Sequence, residues 1–331
     1  MTPDPLRPIV GDLRQIASVR PIVLDDGPER GVRALAFSTG GGLDFWVMAE
    51  RSLDIGPLWY RGSPVAWQSP AGFRSPTLHD PEGDGGHGFN RSFSGLLVTC
   101  GLEHIRQPVQ GRPLHGRLPF TPARVLAHGE DWEAPQPTLF CEGDVVQSRY
   151  GGETLRLRRR ISAPVGGQTL SILDRVTNEG AQPTPHALLY HVNFGYPAVA
   201  TGTEIHFGGR RVMGPITLPD PGPQPDAVSM PSGPGEIAAC QLITPTPEGP
   251  AFRLTLSFSA GTLPHLQLWR DLRPQAGVLS LEPCTSARLA GGASPPPEDL
   301  APGQSRQYRV DLTFSGTALG LPCFADPRSA P

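Results

Sequence analysis

Short segments of alternating apolar and polar residues, separated by Gly and Pro, limit most strongly the folds open to this chain. Gly and Pro each occur 40 times in 331 residues and are spread along the whole sequence. Both residue types interrupt helices, and no stretch of about ten or more residues has convincing helical periodicity. The pattern therefore predicts an all-β fold, a large antiparallel β-sandwich whose strands are joined by frequent turns.

Individual strands are predicted where β-branched or aromatic residues alternate with polar ones. These segments are residues 33–37, 44–48, 154–162, 169–178, 187–193, 253–258, 265–269, 278–282 and 307–314. The Thr-Gly-Gly-Gly segment at 39–42 predicts a hairpin between the first two, because consecutive glycines adopt the positive φ angles that tight turns require.

Two stretches rich in Pro and Gly, residues 69–90 and 215–234, are expected to be long surface loops that wall a binding cleft. Neither is interpreted as a linker between domains, and the chain has no internal repeat. We therefore expect residues 1–331 to form one domain.

The charge pattern excludes some classes of chemistry. All 28 basic residues are Arg, so Schiff-base chemistry on a Lys and the lysine of a phosphate-binding P-loop are both excluded. A net charge of −3 does not favour nucleic acid as a partner. The basic run Arg156, Arg158, Arg159 and Arg160 lies in an alternating strand pattern and is expected to form a solvated strand face.

Cysteine usage and the N-terminal sequence bear on the compartment. Cys100, Cys141, Cys240, Cys284 and Cys323 are widely spaced and contain no CxxC pair, which is typical of free thiols in a reducing environment. The N-terminus lacks an apolar signal core, and no apolar run reaches about 18 residues. The sequence thus predicts a soluble cytoplasmic protein without a membrane partner.

Three segments place proton-handling side chains at predicted strand ends: Leu114-His115-Gly116-Arg117, Tyr190-His191-Val192-Asn193 and Leu281-Glu282-Pro283-Cys284. Two imidazoles and a carboxylate suit acid–base work on a neutral hydroxylated substrate, because one group takes a proton while another gives one. At these segments the sequence resembles the aldose 1-epimerase (galactose mutarotase-like) superfamily. Residues 50–56, 94–104 and 185–197 resemble a bacterial branch of that superfamily.

The resemblance spans roughly residues 30–315 and implies a cofactor-independent aldose 1-epimerase-like isomerase that acts on the anomeric centre of a sugar. It implies that Glu282 removes the proton from the anomeric hydroxyl while protonated His191 donates to the ring oxygen. His115 would hydrogen-bond a sugar hydroxyl or the ring oxygen. The superfamily also holds sugar hydroxyls with an Asp between the second His and the Glu; here Asp220, Asp226 and Asp271 fall in that interval without a matching motif.

Further substrate-binding candidates are Arg51, Arg91, His104, Asn193 and Trp269. A guanidinium offers a planar fork to hydroxyls, carboxylates or phosphates, although Arg51 could equally pair with Asp54 or Glu50. Trp269 ends a predicted strand and could stack on a pyranose ring. His104 is compatible with a cleft or a surface position. His186 is expected to point away from His191, because an odd offset along a strand reverses the side chain.

Two alternatives remain open at the level of sequence. One is a metal-assisted sugar isomerase, epimerase or lyase on the same fold, with ligands drawn from His104, His115, His186, His191 and Glu282, because imidazole and carboxylate suit divalent cations. The other is a carbohydrate-binding protein without catalysis, because a fold and its cleft do not guarantee a reaction. In each case the expected partner is a small-molecule sugar.

Overall fold

Antiparallel strands form most of the regular structure in the computed structural model, which describes residues 6–224, 226–247 and 249–320. In chain order they are β1 (Ser18–Val23), β2 (Arg33–Ser38), β3 (Leu43–Met48), β4 (Asp54–Tyr60), β5 (Ser63–Pro64), β6 (Leu97–Leu102), β7 (Arg124–Asp131), β8 (Thr138–Ser148), β9 (Thr154–Pro164), β10 (Thr169–Asn178), β11 (Thr184–Phe194), β12 (Glu204–Phe207), β13 (Arg210–Met213), β14 (Asp226–Pro231), β15 (Ile237–Thr244), β16 (Phe252–Ser259), β17 (His265–Asp271), β18 (Val278–Cys284), β19 (Glu298–Leu300) and β20 (Ser305–Ser315). The helical pieces are 3₁₀ turns at Leu13–Gln15, Gly27–Glu29, Pro76–Leu78, Gly88–Arg91 and Ala290–Gly292, and one helical turn at Gly83–Gly86. The prediction of an all-β fold is confirmed.

Within the described residues the strands assemble into three antiparallel sheets. A nine-stranded sheet has the order β13-β12-β15-β16-β20-β10-β9-β8-β7, and a five-stranded sheet runs from β1 to β5. A six-stranded sheet has the order β14-β17-β18-β11-β19, with β6 also paired to β11. The predicted hairpin at 39–42 is confirmed by the antiparallel pairing of Ser38 with Asp44.

One large apolar core joins the sheets. Inward residues of the nine-stranded sheet, such as Leu157 and Leu256, belong to the same buried cluster as Tyr190 and Leu281 of the six-stranded sheet. Each is at most 1% exposed. Burial of an aliphatic side chain of this size stabilises a fold by roughly 1.5–3 kcal/mol, so alternation along each strand fixes which face turns inward.

The basic run on β9 is divided between the two faces of its sheet. Arg156 and Arg158 lie on the outer face and pair with Asp144, as a solvated strand face predicts. The prediction is wrong for Arg159, which is 0% exposed. Its guanidinium nitrogens lie 2.7 Å from the carboxylates of both Asp54 and Asp174. The odd position turns it into the core, where only paired charges are tolerated.

Strands β11, β17 and β18 are buried on both faces, and this determines where polar residues gather. On β11 the residues Leu188, Tyr190 and Val192 enter the main core. The opposite face holds Ala187 and Leu189, which belong to a second apolar cluster with side chains of the covering loops. His191 and Asn193 share that second face by alternation.

Several boundaries differ from the prediction. Strand β11 begins at Thr184 rather than at 187, and β17 and β18 each extend past their predicted ends. The predicted loop 69–90 contains only short helical turns, but the predicted loop 215–234 includes β14, which pairs with β17. That part of the loop prediction is wrong, because cross-strand bonding to β17 outweighs the local content of turn residues.

Cys100, Cys141, Cys240 and Cys284 are free and buried, and Cys323 lies outside the described residues. Across the described ranges, no helix has the length and apolar character needed to cross a membrane.

Candidate active site

Three neighbouring strands direct polar side chains to one face of the six-stranded sheet. The antiparallel register pairs Gln267 of β17 with Glu282 of β18, and pairs Ser280 of β18 with both Asn193 and Trp269. Because side chains alternate along a strand, residues two apart share a face. The six residues brought together in this way are His191, Asn193, Gln267, Trp269, Ser280 and Glu282.

His191 and Glu282 are in direct contact. His191 Nε2 lies 3.3 Å from Glu282 Oε1, and the two residues are 4% and 0% exposed. The resemblance implies that Glu282 and His191 each act on the sugar directly, but here no space for a sugar ring separates the two side chains. Glu282 is fully enclosed and, unlike His191, does not line the neighbouring cavity.

Asn193 fixes the orientation of the His191 ring. The Asn193 side-chain amide donates to Gly95 O at 3.0 Å, so its carbonyl Oδ1 faces His191 Nδ1. Nδ1 must then carry a hydrogen, and a favourable contact between Nε2 and the Glu282 carboxylate requires a second proton between those atoms. The pair is thus built to hold a transferable proton.

A buried chain of hydrogen bonds holds the Glu282 carboxylate in place. Ser280 Oγ donates to Glu282 Oε1 at 2.8 Å, and the Gln267 amide nitrogen donates to Oε2. Gln267 Oε1 in turn accepts from Arg106 Nε at 2.9 Å. Arg106 is 1% exposed, and its other nitrogens donate to Ser286, Ser294 and Cys284. The chain connects a buried cation to a buried carboxylate through one amide.

His115 reaches the same place from a covering loop. Its backbone N–H donates to Arg106 O at 2.8 Å, and its carbonyl accepts from Gly101 N at 3.0 Å. The next residue, Gly116, has φ +78°, and a Cβ there would lie 2.2 Å from Gly101 O. Only glycine fits that approach, which explains the His-Gly pair in the sequence.

The His115 ring differs from that of His191 in its hydrogen bonds and in its pKa. The ring centroids of the two residues are 5.5 Å apart, and the buried His115 Nδ1 has no hydrogen-bond partner among the described residues. Burial, followed by the charge of nearby His191 and Arg106, lowers the pKa of His115 well below its usual value. The His115 imidazole is therefore neutral at neutral pH.

These groups surround a cavity of about 260 Å³. Its walls are formed by His87, Phe89, Asn90, Phe93, Arg106, Gln107, Leu114, His115, His191, Ala227, Gln267, Trp269 and Arg288. Phe93 and Trp269 pack edge-on against the His191 ring at centroid distances of 5.0 and 5.6 Å. Pockets for drug-sized ligands usually measure roughly 300–1,000 Å³, so this cavity suits one small ring-sized molecule. Its wall combines aromatic rings with a few convergent polar groups, as ligand pockets commonly do.

The other predicted substrate-binding residues divide between the cavity and the surroundings. Trp269 lines the cavity, and Asn193 supports it through His191. His104 lies in an adjacent cavity of about 530 Å³ and contacts Gln107 O at 2.7 Å. Gln107 lines both spaces.

The two predicted arginines lie outside the cavity walls. Arg51 is 2% exposed and donates to the carbonyls of Arg74, Ser92 and Ser94, so it holds the covering loop. Arg91 is exposed and pairs with Asp84. Their assignment as substrate-binding residues is corrected, because their donors are engaged by the protein itself.

The five-residue metal set is not brought together. His186 bonds to Leu102 O at 2.8 Å and to the Tyr308 hydroxyl at 2.7 Å, on the core side of β11, as its odd offset from His191 predicts. Within the described part of the chain, no group of three or more His, Cys, Asp or Glu side chains is placed to hold a metal ion. Asp220 and Asp271 pair with Arg270 and Arg273, and the side chain of Asp226 lies outside the description.

Sequence reasoning missed four residues of the site. Gln267 and Ser280 could have been found, because each is two residues from a predicted site residue on the same strand. Arg106 and Arg288 lie in loops, and nothing in the local sequence indicates that they reach the cavity.

Comparison with known proteins was made at the level of sequence and of structure. Residues 29–215, more than half of the chain, match the family described as "Domain of unknown function (DUF4432)". No curated protein matches the chain in sequence.

Solved structures share the fold at low sequence identity. A "putative aldose 1-epimerase" from Klebsiella pneumoniae superposes with a TM-score of 0.71 at 21% identity, covering 95% of this chain and 86% of that one. A galactose mutarotase-like protein from Clostridium acetobutylicum gives a TM-score of 0.56 at 11% identity, with 90% and 98% covered. Galactose 1-epimerase from Lactobacillus acidophilus gives 0.54 at 11%, also with 90% and 98% covered. The galactose mutarotase-like fold predicted from the three segments is confirmed.

Proposed function

The chain belongs to the DUF4432 family, and from this premise we propose that it is a carbohydrate epimerase, an aldose 1-epimerase-like isomerase that interconverts the α and β anomers of a sugar. The observation that carries the proposal is the pair of unlike imidazoles on one ring-sized cavity. His191 is in contact with a carboxylate that compensates its charge, whereas burial keeps His115, on the same cavity wall, neutral. Two titratable groups whose surroundings hold them in opposite protonation states are suited to act as acid and base.

Ring opening needs one proton taken and one given. In the proposed step, neutral His115 accepts the proton of the anomeric hydroxyl while the Nε2 proton of His191, released from its 3.3 Å contact with Glu282, passes to the ring oxygen and Nδ1 stays bonded to Asn193. The bond between the anomeric carbon and the ring oxygen breaks as the carbonyl forms, which leaves an open-chain aldehyde or ketone. Rotation about one C–C bond and return of both protons close the ring with the opposite configuration.

Glu282 acts through His191 in this scheme. It is fully enclosed and accepts from Ser280 and Gln267, so it holds the ring and balances the imidazolium charge rather than touching the sugar. A buried carboxylate that orients a catalytic histidine in this way is a recurring device. Both reacting oxygens of a hemiacetal are bonded to the same carbon, so neighbouring imidazoles can serve them from one side.

Saturation-transfer NMR between α and β anomers tests the proposal directly. Purified protein is added to a panel of aldoses, ketoses and uronic acids in D₂O, with and without chelator. Enzyme-dependent exchange should appear for at least one sugar without deuterium entering any C–H position, because only O–H protons move. Chelator should leave the rate unchanged.

His191→Gln is the informative variant, and His206→Gln is its matched control. His206 also lies beside a carboxylate, 2.9 Å from Glu204, but on β12, away from the cavity. We expect His191→Gln to lower the exchange rate by about 100- to 10,000-fold and His206→Gln to leave it unchanged. Binding of a sugar without enzyme-dependent exchange would instead identify a carbohydrate-binding protein and overturn the proposal.

A further inference from the structure

We infer that the sugar carries an anionic group, a carboxylate or a phosphate, and that Arg288 recognises it. The inference rests on the proposed function, because it names the substrate class of the same cavity. It starts from the state of the Arg288 guanidinium, which lines the cavity wall in the loop that follows β18.

Arg288 is a half-buried cation without a protein anion. Among the residues that the structure describes, no hydrogen bond or ion pair engages its guanidinium. Arg106, on the same wall, has every nitrogen occupied by protein acceptors. Burial and the repulsion of Arg106 lower the pKa of Arg288, and the attraction of Glu282 offsets this only in part.

The charge balance of the cavity favours an anion. The walls include Arg106, Arg288 and the three imidazoles of His87, His115 and His191, but no Asp or Glu. Glu282, which does not line the cavity, already accepts hydrogen bonds from Ser280 and Gln267 and contacts His191. A free guanidinium in a partly desolvated wall gains most from a bidentate partner such as a carboxylate or phosphate.

Local backbone structure holds Arg288 in this position. The 3₁₀ turn Ala290–Gly292 begins two residues after it, and a Cβ on Gly292 would come within 2.9 Å of Arg288 Nη2. The guanidinium therefore packs against a residue that has no side chain. This close packing restrains a long side chain that would otherwise be free, and it reduces the entropy lost when a ligand binds.

Isothermal titration calorimetry tests the inference with four classes of probe. Glucose and galactose are compared with glucuronate and galacturonate, with glucose 6-phosphate, and with inorganic phosphate alone. We expect at least one anionic sugar to bind about tenfold or more tightly than its neutral counterpart, and the carboxylate and phosphate arms identify which anion is used. The preference should weaken at high salt.

Arg288→Gln should bring the anionic and neutral sugars within about twofold of each other. The control is Arg175→Gln, an exposed arginine on β10 of the nine-stranded sheet, which should keep the full preference. Equal binding of neutral and anionic sugars by the wild type, or an undiminished preference in Arg288→Gln, would overturn the inference.

Failure of this inference can be told apart from failure of the proposed function. Anomer exchange on neutral sugars with no anionic preference would refute the role of Arg288 and keep the epimerase. A preference for anionic sugars that depends on Arg288, without anomer exchange, would support the inference on substrate class and refute the epimerase.

Discussion

Replacing Gln267 by Leu should both destabilise the fold and slow the reaction, because one amide joins two buried charged groups. Gln267 is 2% exposed, accepts from Arg106 Nε at 2.9 Å and donates to Glu282 Oε2. Leucine has a similar volume and keeps the packing, but it can satisfy neither group. The substitution therefore isolates the hydrogen bonds.

The expected loss of stability follows from the two charged groups, Arg106 and Glu282, that lose a hydrogen-bond partner. A buried polar group without its partner costs about 1–3 kcal/mol, and more when it is charged, so the two groups together should cost about 2–6 kcal/mol. Urea titration followed by far-ultraviolet circular dichroism measures the loss. The exchange rate should also fall, since Glu282 loses one of the donors that hold it against His191.

Gln241→Leu is the matched control. Gln241 also accepts from an arginine, Arg253 Nη1 at 2.9 Å, but at a partly exposed position on β15. Loss of the Gln241 amide should lower the free energy of unfolding by about 1 kcal/mol or less. If Gln267→Leu is as stable as Gln241→Leu and exchanges anomers at the wild-type rate, the proposed connection from Arg106 to Glu282 does not operate.

Two further predictions concern stability. Burial lowers the pKa of His186 from 6.5 to about 4. Between those pH values the unfolded chain binds a proton at His186 and the folded protein does not. Stability should fall by about 3 kcal/mol as the pH drops from about 6.5 to about 4. His186→Gln should remove that part of the pH dependence in urea titrations, and an unchanged slope would contradict the assignment. Arg159→Met should cost about 3–5 kcal/mol, because Asp54 and Asp174 stay buried without their cation. Arg158→Met, on the exposed face of the same strand, should cost about 1 kcal/mol or less in the same measurement, and similar losses for both variants would show that burial is not decisive.

The sequence predicted the fold where one strand face is solvated. Alternation is clear on β9 and β10 because only one side of each packs into the core, and their predicted spans agree closely with those observed. Strand β11 is buried on both faces, so its ends show no polar–apolar contrast. Strand β14 is stabilised by pairing with β17, which lies far along the chain, and its local sequence contains Pro and Ser.

The site was predictable in its residue types but not in its geometry. His191, Glu282 and His115 could be chosen from three short segments, and alternation would have added Gln267. Direct contact of His191 with Glu282 depends on the register between β11 and β18, which local sequence does not specify.

The loop arginines were beyond prediction for a different reason. Arg106 and Gln267 are 161 residues apart, and Arg288 reaches the cavity through a loop. Their positions follow from the way the covering segments pack on the sheet, which no periodicity in the sequence encodes.

The role of Glu282 offers the most direct test of the account. The measurement is the anomer exchange rate as a function of sugar concentration for Glu282→Gln, beside Glu204→Gln as the exposed control on β12. Because Glu282 acts through His191 without touching the sugar, kcat should fall by about 100- to 10,000-fold while KM stays nearly constant. Glu204→Gln should behave as the wild type. A folded Glu282→Gln protein that exchanges anomers at the wild-type rate would contradict the central claim.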